Sequence, residues 1–312
     1  MHETEKIWMN GELVPWGDAK VHVLSHVLHY GSGVFEGIRA YSTERGPAVF
    51  RLMDHLRRLE RSAGVYFMDL PYSVEELRQA THDVIGVNGL DACYVRPLAF
   101  RGYGELGINP LTCPVDVIIA VWPWGAYLGE EALEHGVRVM TSSWRRIGPN
   151  TLPAAAKASG QYLNSQLAKM EAMNSGYDEA ILLNEQGFLA DGSGENVFVV
   201  RDGALVTPPT TASCLPGITR DTVIRIARGM GYEVREAEVV RTDLYHADEV
   251  FFTGTAAEIT PIRSIDRITI GKGRRGPVAE ALQKEFFGIV NGTRADRHGW
   301  LTAVPVQEPV AQ

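Results

Sequence analysis

The run Val115-Asp116-Val117-Ile118-Ile119-Ala120-Val121-Trp122-Pro123-Trp124 is the longest apolar stretch in the chain, and it constrains the fold more than any other. A bilayer span takes about 20 apolar residues, and Asp116 and Pro123 interrupt a run that is already too short. Val115 to Val121 therefore reads as a strand buried in a sheet. Trp122 to Gly129 follows at once, and its Pro123, Gly125 and Gly129 mark a break between two domains.

Ahead of that break, Ile7-Trp8-Met9 and Glu12-Leu13-Val14 flank Asn10-Gly11, a strong hairpin signal. Gly31 to Tyr41 is a glycine-punctuated strand, the pattern of a close backbone approach to a ligand or a neighbouring strand. Asp54 is a good N-cap for a helix through Leu56, Leu59 and Ala63, which sets Arg58 near its polar flank. A second helix over Val74 to Ile85 and a strand over Cys93 to Phe100 complete a first α/β domain. Beyond the break come a strand at Gly136–Trp144, a helix at Ser159–Ser175 and a strand at Glu179–Leu183. A hairpin over Asn196–Val200 and Ala204–Thr207 follows, turned by Asp202-Gly203. Pro216 to Arg220 opens a helix running through Ala227. Strands at Glu233–Val239 and Glu249–Phe252 and a last helix at Pro277–Ile289 end the series. The expected class is α/β (α+β), with a smaller N-terminal α/β domain over 1–124, a linker over 125–134 and a second domain over 135–312.

A net charge of −8 argues against nucleic acid or an anionic membrane as the main partner. Cys93, Cys113 and Cys214 are odd in number with no CxxC pair, so they read as reduced thiols in a cytoplasmic enzyme. Met1 to Lys6 is polar and acidic, and no secretory leader is expected. His22, His26 and His29 would share one face of a helix, which suggests a metal. No Asp, Glu or Cys lies beside them, however, and the β-branched neighbours and following glycines spoil a regular helix. They are expected to pack or to make a subunit contact.

The chemistry gathers around Leu152-Pro153-Ala154-Ala155-Ala156-Lys157-Ala158-Ser159-Gly160. Of 30 basic residues only six are lysines, and this one sits among small neighbours with no carboxylate close in sequence. Burial favours the neutral amine, the nucleophile that makes Schiff bases, although an exposed helix-start lysine would look the same. Four further features speak to one cofactor. Pro216-Gly217-Ile218-Thr219 puts a glycine and a hydroxyl at a helix N-terminus, an anion site. Thr253-Gly254-Thr255 is a small hydroxyl-rich turn suited to the same phosphate. Tyr162, five residues past Lys157, offers a phenol to a ring oxygen. Asp191 and Glu195, in a glycine-rich loop, offer an acid to a pyridine nitrogen. Aldehyde on lysine, phosphate on a helix end and acid on a ring nitrogen are the needs of pyridoxal phosphate.

The chain also resembles the branched-chain amino acid aminotransferases, among the fold-type IV pyridoxal-phosphate enzymes, from Ile7 to about Trp300. The resemblance is carried by His29-Tyr30-Gly31, Phe35-Glu36-Gly37-Ile38-Arg39, His55-Leu56-Arg57-Arg58-Leu59 and Tyr94-Val95-Arg96-Pro97. It continues through Trp124-Gly125-Ala126-Tyr127-Leu128-Gly129, Ala156-Lys157-Ala158, Gly194-Glu195-Asn196, Leu215 to Arg220 and Gly254-Thr255-Ala256-Ala257-Glu258. It implies a larger C-terminal pseudo-barrel domain that binds pyridoxal phosphate, with Lys157 as Schiff-base lysine and proton carrier. Arg58, Ile218, Thr219 and Thr255 would hold the phosphate, and Tyr162 the ring hydroxyl. Tyr94 and Arg96, with the backbone at Thr255 and Ala256, would receive the substrate carboxylate. Tyr94 and Arg96 are two apart on a strand and so share a face. Tyr30, Phe35, Gly37, Trp124 and Tyr127 would line the side-chain pocket, and Arg39 would meet the second carboxylate of 2-oxoglutarate. Where the family pattern reads Glu-Gly-x-Gly-Glu-Asn, this chain has Asp191-Gly192-Ser193-Gly194-Glu195-Asn196, an acid one methylene shorter.

The activity implied is reversible amino transfer between L-leucine, isoleucine or valine and 2-oxoglutarate, in two half-reactions. The resemblance further implies a homodimer or a dimer-based hexamer. Three rivals share the scaffold: a D-amino acid transaminase, an R-selective amine transaminase and an aminodeoxychorismate lyase. The Tyr94–Arg96 pair and the Trp124–Tyr127 segment favour the branched-chain reading. A non-enzymatic relative would have little use for Lys157, Tyr162, Arg58 and Thr219 together.

Overall fold

The computed structural model describes residues 2–125 and 127–305. The chain runs β1 (Lys6–Met9), β2 (Glu12–Pro15), α1 (His26–Tyr30), β3 (Gly33–Phe35), β4 (Ile38–Thr43), β5 (Gly46–Phe50), α2 (Leu52–Val65), α3 (Val74–Val87), β6 (Cys93–Arg101) and β7 (Val115–Trp122). It continues through α4 (Glu130–His135), β8 (Val137–Arg145), α5 (Tyr162–Asn174), β9 (Glu179–Leu183), β10 (Leu189–Gly192), β11 (Asn196–Arg201) and β12 (Ala204–Thr207). Last come α6 (Ile218–Gly229), β13 (Val234–Glu236), α7 (Arg241–Tyr245), β14 (Glu249–Gly254), β15 (Glu258–Ile265), β16 (Ile268–Thr269), α8 (Pro277–Val290) and β17 (Leu301–Ala303). Two compact units result. One takes Met1–Trp124, Ala156–Gly160 and Gly288–Gln312; the other takes Gly125–Ala155 and Gln161–Phe287. The segment around Lys157 thus packs with the first unit although its neighbours in sequence pack with the second.

In the first unit the sheet order is β17-β5-β4-β6-β7-β1-β2, with β3 on β6. The apolar run is β7, paired antiparallel to β6 from Tyr94↔Trp122 to Arg101↔Val115. Val117, Ile119 and Val121 are fully buried on one face and pack with Leu56 and Leu59 of α2 and Val84 and Ile85 of α3. Burying a side chain of that size contributes about 1.5–3 kcal/mol, so this alternating face holds the sheet to its two helices. A Ser73/Glu76 capping box starts α3. At α2 the N-cap is Arg51, held at φ 51°, and not Asp54. Asp54 lies in the first turn, where its carboxylate takes a 2.6 Å bond from Arg51 Nε and suits the helix dipole.

The strand expected over Gly31 to Tyr41 is broken at Glu36-Gly37. Glu36 N donates to Pro97 O at 2.9 Å and its side chain turns inside, fully buried. Of the three histidines only His26 is buried, while His22 and His29 are exposed. His26 bonds Ser32 Oγ at 2.6 Å and Gly107 O at 2.8 Å, His29 bonds Val23 O at 2.9 Å, and His22 rests on the Tyr103 ring. Only His26–Tyr30 of that segment is helical, and Gly31 ends it at φ 68°.

The second unit is built on a nine-stranded mixed sheet, β10-β9-β8-β15-β14-β11-β12-β13 with β16 on β15, curled into a half-barrel. Pairs β8/β9, β15/β8 and β12/β13 are parallel, which the intervening helices make possible. Ala168 and Ala172 let α5 lie close on Ala180 and Leu182. Segment 125–134, expected as linker, carries most of α4. The expected Ser159–Ser175 helix begins as a 3₁₀ turn over Ser159–Gln161, and the strand expected over Glu233–Val239 shortens to β13. No helix of the described residues is long and apolar enough to cross a membrane.

Candidate active site

In the first unit the lysine loop is stitched to β3 and α2. Phe35 N donates to Lys157 O at 3.0 Å, Val34 and Ala158 form a β-bridge, and Lys157 N donates to Ser62 Oγ at 3.0 Å. Ala156 and Ala158 are buried on either side, while half-buried Lys157 sends Nζ to 4.9 Å from the Phe35 ring centroid. The small collar is therefore a packing demand: the flanking side chains go inward so that the lysine can point elsewhere.

On β6, Tyr94 and Arg96 do share a face, and Arg96 Nη2 donates to Tyr94 Oη at 3.3 Å. The guanidinium lies 4.9 Å from the Phe35 ring, 5.3 Å from Tyr94 and 5.8 Å from Trp122, an arrangement of cation–π contacts. Trp124 meets Tyr94 edge-on at 4.4 Å between centroids. Gly37 lies against the Tyr94 phenol so tightly that any Cβ would strike its Oη. Arg39 is opposite Tyr94 across the β4–β6 pairing and is buried. Tyr30, half exposed at the end of α1, lies tilted against the His26 ring, 4.6 Å between centroids.

Arg58 is buried beside Glu36. Its Nε donates to Glu36 Oε1 at 2.6 Å and its Nη2 to Oε2 at 2.8 Å, while His55 Nδ1 lies 2.7 Å from the same Oε2. Burial works to raise the Glu36 carboxyl, but Arg58 and His55 outweigh it and hold the group at about 2. Burial pushes His55 down, against the pull of the Glu36 carboxylate beside its Nδ1.

In the second unit, Asp191 sits on β10 and is buried. Asn196 Nδ2 donates to its Oδ1 at 2.8 Å, Leu215 N to its Oδ2 at 3.0 Å, and Arg146 Nη2 stands 3.9 Å from Oδ2. Burial raises the carboxyl to about 6, with Arg146 and the two hydrogen bonds pulling the other way. Arg146 thus holds an internal anion. Glu195 is pushed up to about 8, first by burial and then by the Glu179 carboxylate, which pairs with Lys169 at 2.7 Å. Its Oε2 accepts from Gly194 N at 3.0 Å. Tyr162 opens α5, and Tyr127 lies under Lys169, 5.5 Å from Nζ to the ring centroid. Ile218 and Thr219 form the buried first turn of α6 behind Gly217, an N-cap with no side chain to bond that turn. Thr255 and Ala256 make the turn after β14, beside Thr253, whose buried Oγ1 bonds to nothing among the described residues.

Each unit carries groups that suit part of pyridoxal phosphate. The first unit holds an amine and a buried cation. The second holds an uncapped helix start, a hydroxyl turn with an unmet buried hydrogen bond, and a buried acid with an elevated proton affinity. Trp122 and Ser62 were not singled out from sequence, and Glu36, His55, Asn196 and Leu215 enter only inside the motifs that carry the resemblance. Arg145-Arg146 reads from sequence as a basic pair able to hold a small anion; the anion beside Arg146 is the internal Asp191 carboxylate.

Residues 33–265 match the family model for the class IV amino-transferases. The branched-chain-amino-acid aminotransferase of Escherichia coli strain K12 is 54% identical over 303 residues, 97% of this chain and 98% of that one. A crystal structure of the Escherichia coli enzyme, 53% identical, superposes with a TM-score of 0.96, covering 97% of this chain and 100% of the other. A T.th. branched-chain amino acid aminotransferase is 50% identical over 98% of this chain and all of its own. Its TM-scores are 0.93 in complex with N-(5'-phosphopyridoxyl)-L-glutamate and 0.92 in complex with 4-methylvaleric acid. This chain belongs to the branched-chain amino acid aminotransferase family of class IV.

Proposed function

We infer that the protein is a pyridoxal-phosphate-dependent branched-chain amino acid aminotransferase, passing amino groups between L-leucine, isoleucine or valine and 2-oxoglutarate. One observation carries the reading. Lys157 is the amine of an alanine-flanked loop whose backbone is fixed to the same helix that carries Arg58. When bound, the cofactor supplies an electrophilic carbon and an electron-accepting ring. Lys157 is the residue that would hold that carbon, and its free amine would move the proton at the substrate's Cα. Arg58, the α6 turn at Ile218 and Thr219, and Thr255 bind the phosphate. Asp191 keeps a proton on the ring nitrogen, and Tyr162 bonds the ring oxygen. Tyr94 and Arg96, with backbone at Thr255 and Ala256, orient the carboxylate. Phe35, Gly37, Tyr30, Trp124 and Tyr127 enclose the apolar side chain and exclude water. Arg39 meets glutamate's distal carboxylate. The T.th. relative's complexes with a glutamate adduct and with 4-methylvaleric acid support a pocket that takes both kinds of side chain.

Incubating the protein with L-leucine and 2-oxoglutarate tests this. The reading expects glutamate and the leucine keto acid in equal amounts, and none from Lys157→Ala. Glutamate formed only with D-amino acids or R-amines overturns the substrate class. We further propose a homodimer or dimer-based hexamer in the cytoplasm. Val23, Leu28, Ile108 and Leu111 are 72%, 58%, 90% and 61% exposed around the α1 and 103–111 segments. Three free, buried thiols suit a reducing compartment. Sedimentation checks the assembly: Ile108→Asp is expected to shift it toward monomer, and a wild-type monomer contradicts it.

A further inference from the structure

We propose that Glu36, seconded by His55, is a positioning residue for the cofactor's phosphate, fixing the plane of the Arg58 guanidinium from behind. The proposal rests on Arg58 being a phosphate ligand. Glu36 is fully buried, and its two oxygens accept three bonds: from Arg58 Nε at 2.6 Å, Arg58 Nη2 at 2.8 Å and His55 Nδ1 at 2.7 Å. Two donors on one edge of a guanidinium, gripped by two oxygens, leave the group no freedom to rotate.

Electrostatics alone would not place a carboxylate here. It cancels the charge of the arginine that is to bind an anion, and a buried ion pair is weak evidence for stability, because apolar replacements often serve as well. What the carboxylate adds is direction. The same helix face continues the arrangement. His55, Arg58 and Ser62 follow one another at spacings of three and four, and Ser62 Oγ accepts from Lys157 N at 3.0 Å. Phe35, the residue before Glu36, donates its N–H to Lys157 O. The arginine for the phosphate and the lysine for the aldehyde are thus registered to one another through α2 and the Phe35-Glu36 step.

The sign of one measurement separates aim from charge. The full-length chain, freed of cofactor, is titrated with pyridoxal phosphate and with pyridoxal, which lacks the phosphate, and visible absorbance gives the ratio of the two affinities. Glu36→Gln is expected to lower the preference for pyridoxal phosphate about tenfold or more, with pyridoxal affinity held within about twofold. A preference that is unchanged or larger overturns the proposal, larger being what loss of a cancelling charge would give. Should Glu36→Gln fail to fold, Glu36→Asp carries the test. It keeps the charge but shortens the reach, and a smaller loss in the same direction is expected; an unaltered ratio overturns the proposal. Arg58→Gln separates this inference from the reading beneath it. A wild-type ratio there overturns both, whereas a loss in Arg58→Gln without one in the Glu36 variants overturns the positioning role alone. In an Arg58→Gln background, Glu36→Gln is expected to add nothing. A further independent loss would mean that Glu36 acts by some other route, and it overturns the positioning role as well.

Discussion

Gly37 shows how a single missing side chain shapes the substrate half of the site. The Tyr94 phenol occupies the space a Cβ would need, and that phenol takes the Arg96 guanidinium's hydrogen bond. Gly37→Ala is therefore expected to raise KM for leucine by roughly tenfold, the scale of one misplaced charged hydrogen bond, while cofactor affinity stays within about twofold. Equal losses in both would place Gly37 in the fold and not in the carboxylate pocket. Glu195 makes a prediction of opposite kind. Burial first, and then the neighbouring Glu179 carboxylate, push Glu195 up to about 8, against an ordinary 4.5. The folded chain then binds the proton more tightly than the unfolded one. The stability this adds is complete below 4.5 and is lost as pH rises through about 8. Glu195→Gln escapes that loss. Urea unfolding at pH 5 and pH 8 is expected to show the variant gaining on wild type by on the order of 2–4 kcal/mol between the two. A constant gap contradicts the raised Glu195 carboxyl. At this scale the sequence was informative where a residue type is chemically rare. Lys157 stood out among few lysines, but that Asn196 and Arg146 converge on Asp191 was not legible, because the three are far apart in sequence or belong to separate strands.

Among the elements, the start of α6 is tied to Asp191 through Asn196, linking the turn proposed for the phosphate to the acid proposed for the ring nitrogen. A Cβ on Gly217 would collide with Asn196 Oδ1, and Asn196 Nδ2 bonds both Asp191 and Leu215 O. Gly217→Ala is expected to weaken cofactor binding tenfold or more by disturbing both at once, with an order-of-magnitude loss read by absorbance titration. Unchanged affinity would show that Asn196 has room to yield. The same element was readable in advance, since Pro216-Gly217 followed by an apolar period fixes a helix start. Less visible were β5, β10 and β15, and α4 and α7. β15 carries Glu258 at φ 54° and Pro261, which obscure its alternation until β8 and β14 pair with it. α4 and α7 are six and five residues long, too short for a period to declare itself. The misplaced cap at α2 has a similar cause. Asp54 is a favoured cap residue, but Arg51 turns left-handed and is fixed there by its N–H bond to Trp300 O at 2.7 Å, a contact distant in sequence.

For the whole molecule, the order of strands and helices announced a mixed α/β chain, because the apolar run and the turn residues between periodic stretches are local signals. That the Lys157 segment packs with β3 and α2 was not legible, because nothing in residues 156–160 records which strand will receive it. This placement puts the lysine and Arg58 in one compact unit, and the lysine's chemistry can be watched directly. The visible spectrum of the purified protein, saturated with pyridoxal phosphate, is recorded before and after L-leucine is added without a keto acid. We expect a cofactor band that bleaches with L-leucine, returns with 2-oxoglutarate, does not respond to D-alanine, and is absent in Lys157→Ala. A band that ignores L-leucine, or one that persists in Lys157→Ala, would contradict the assignment.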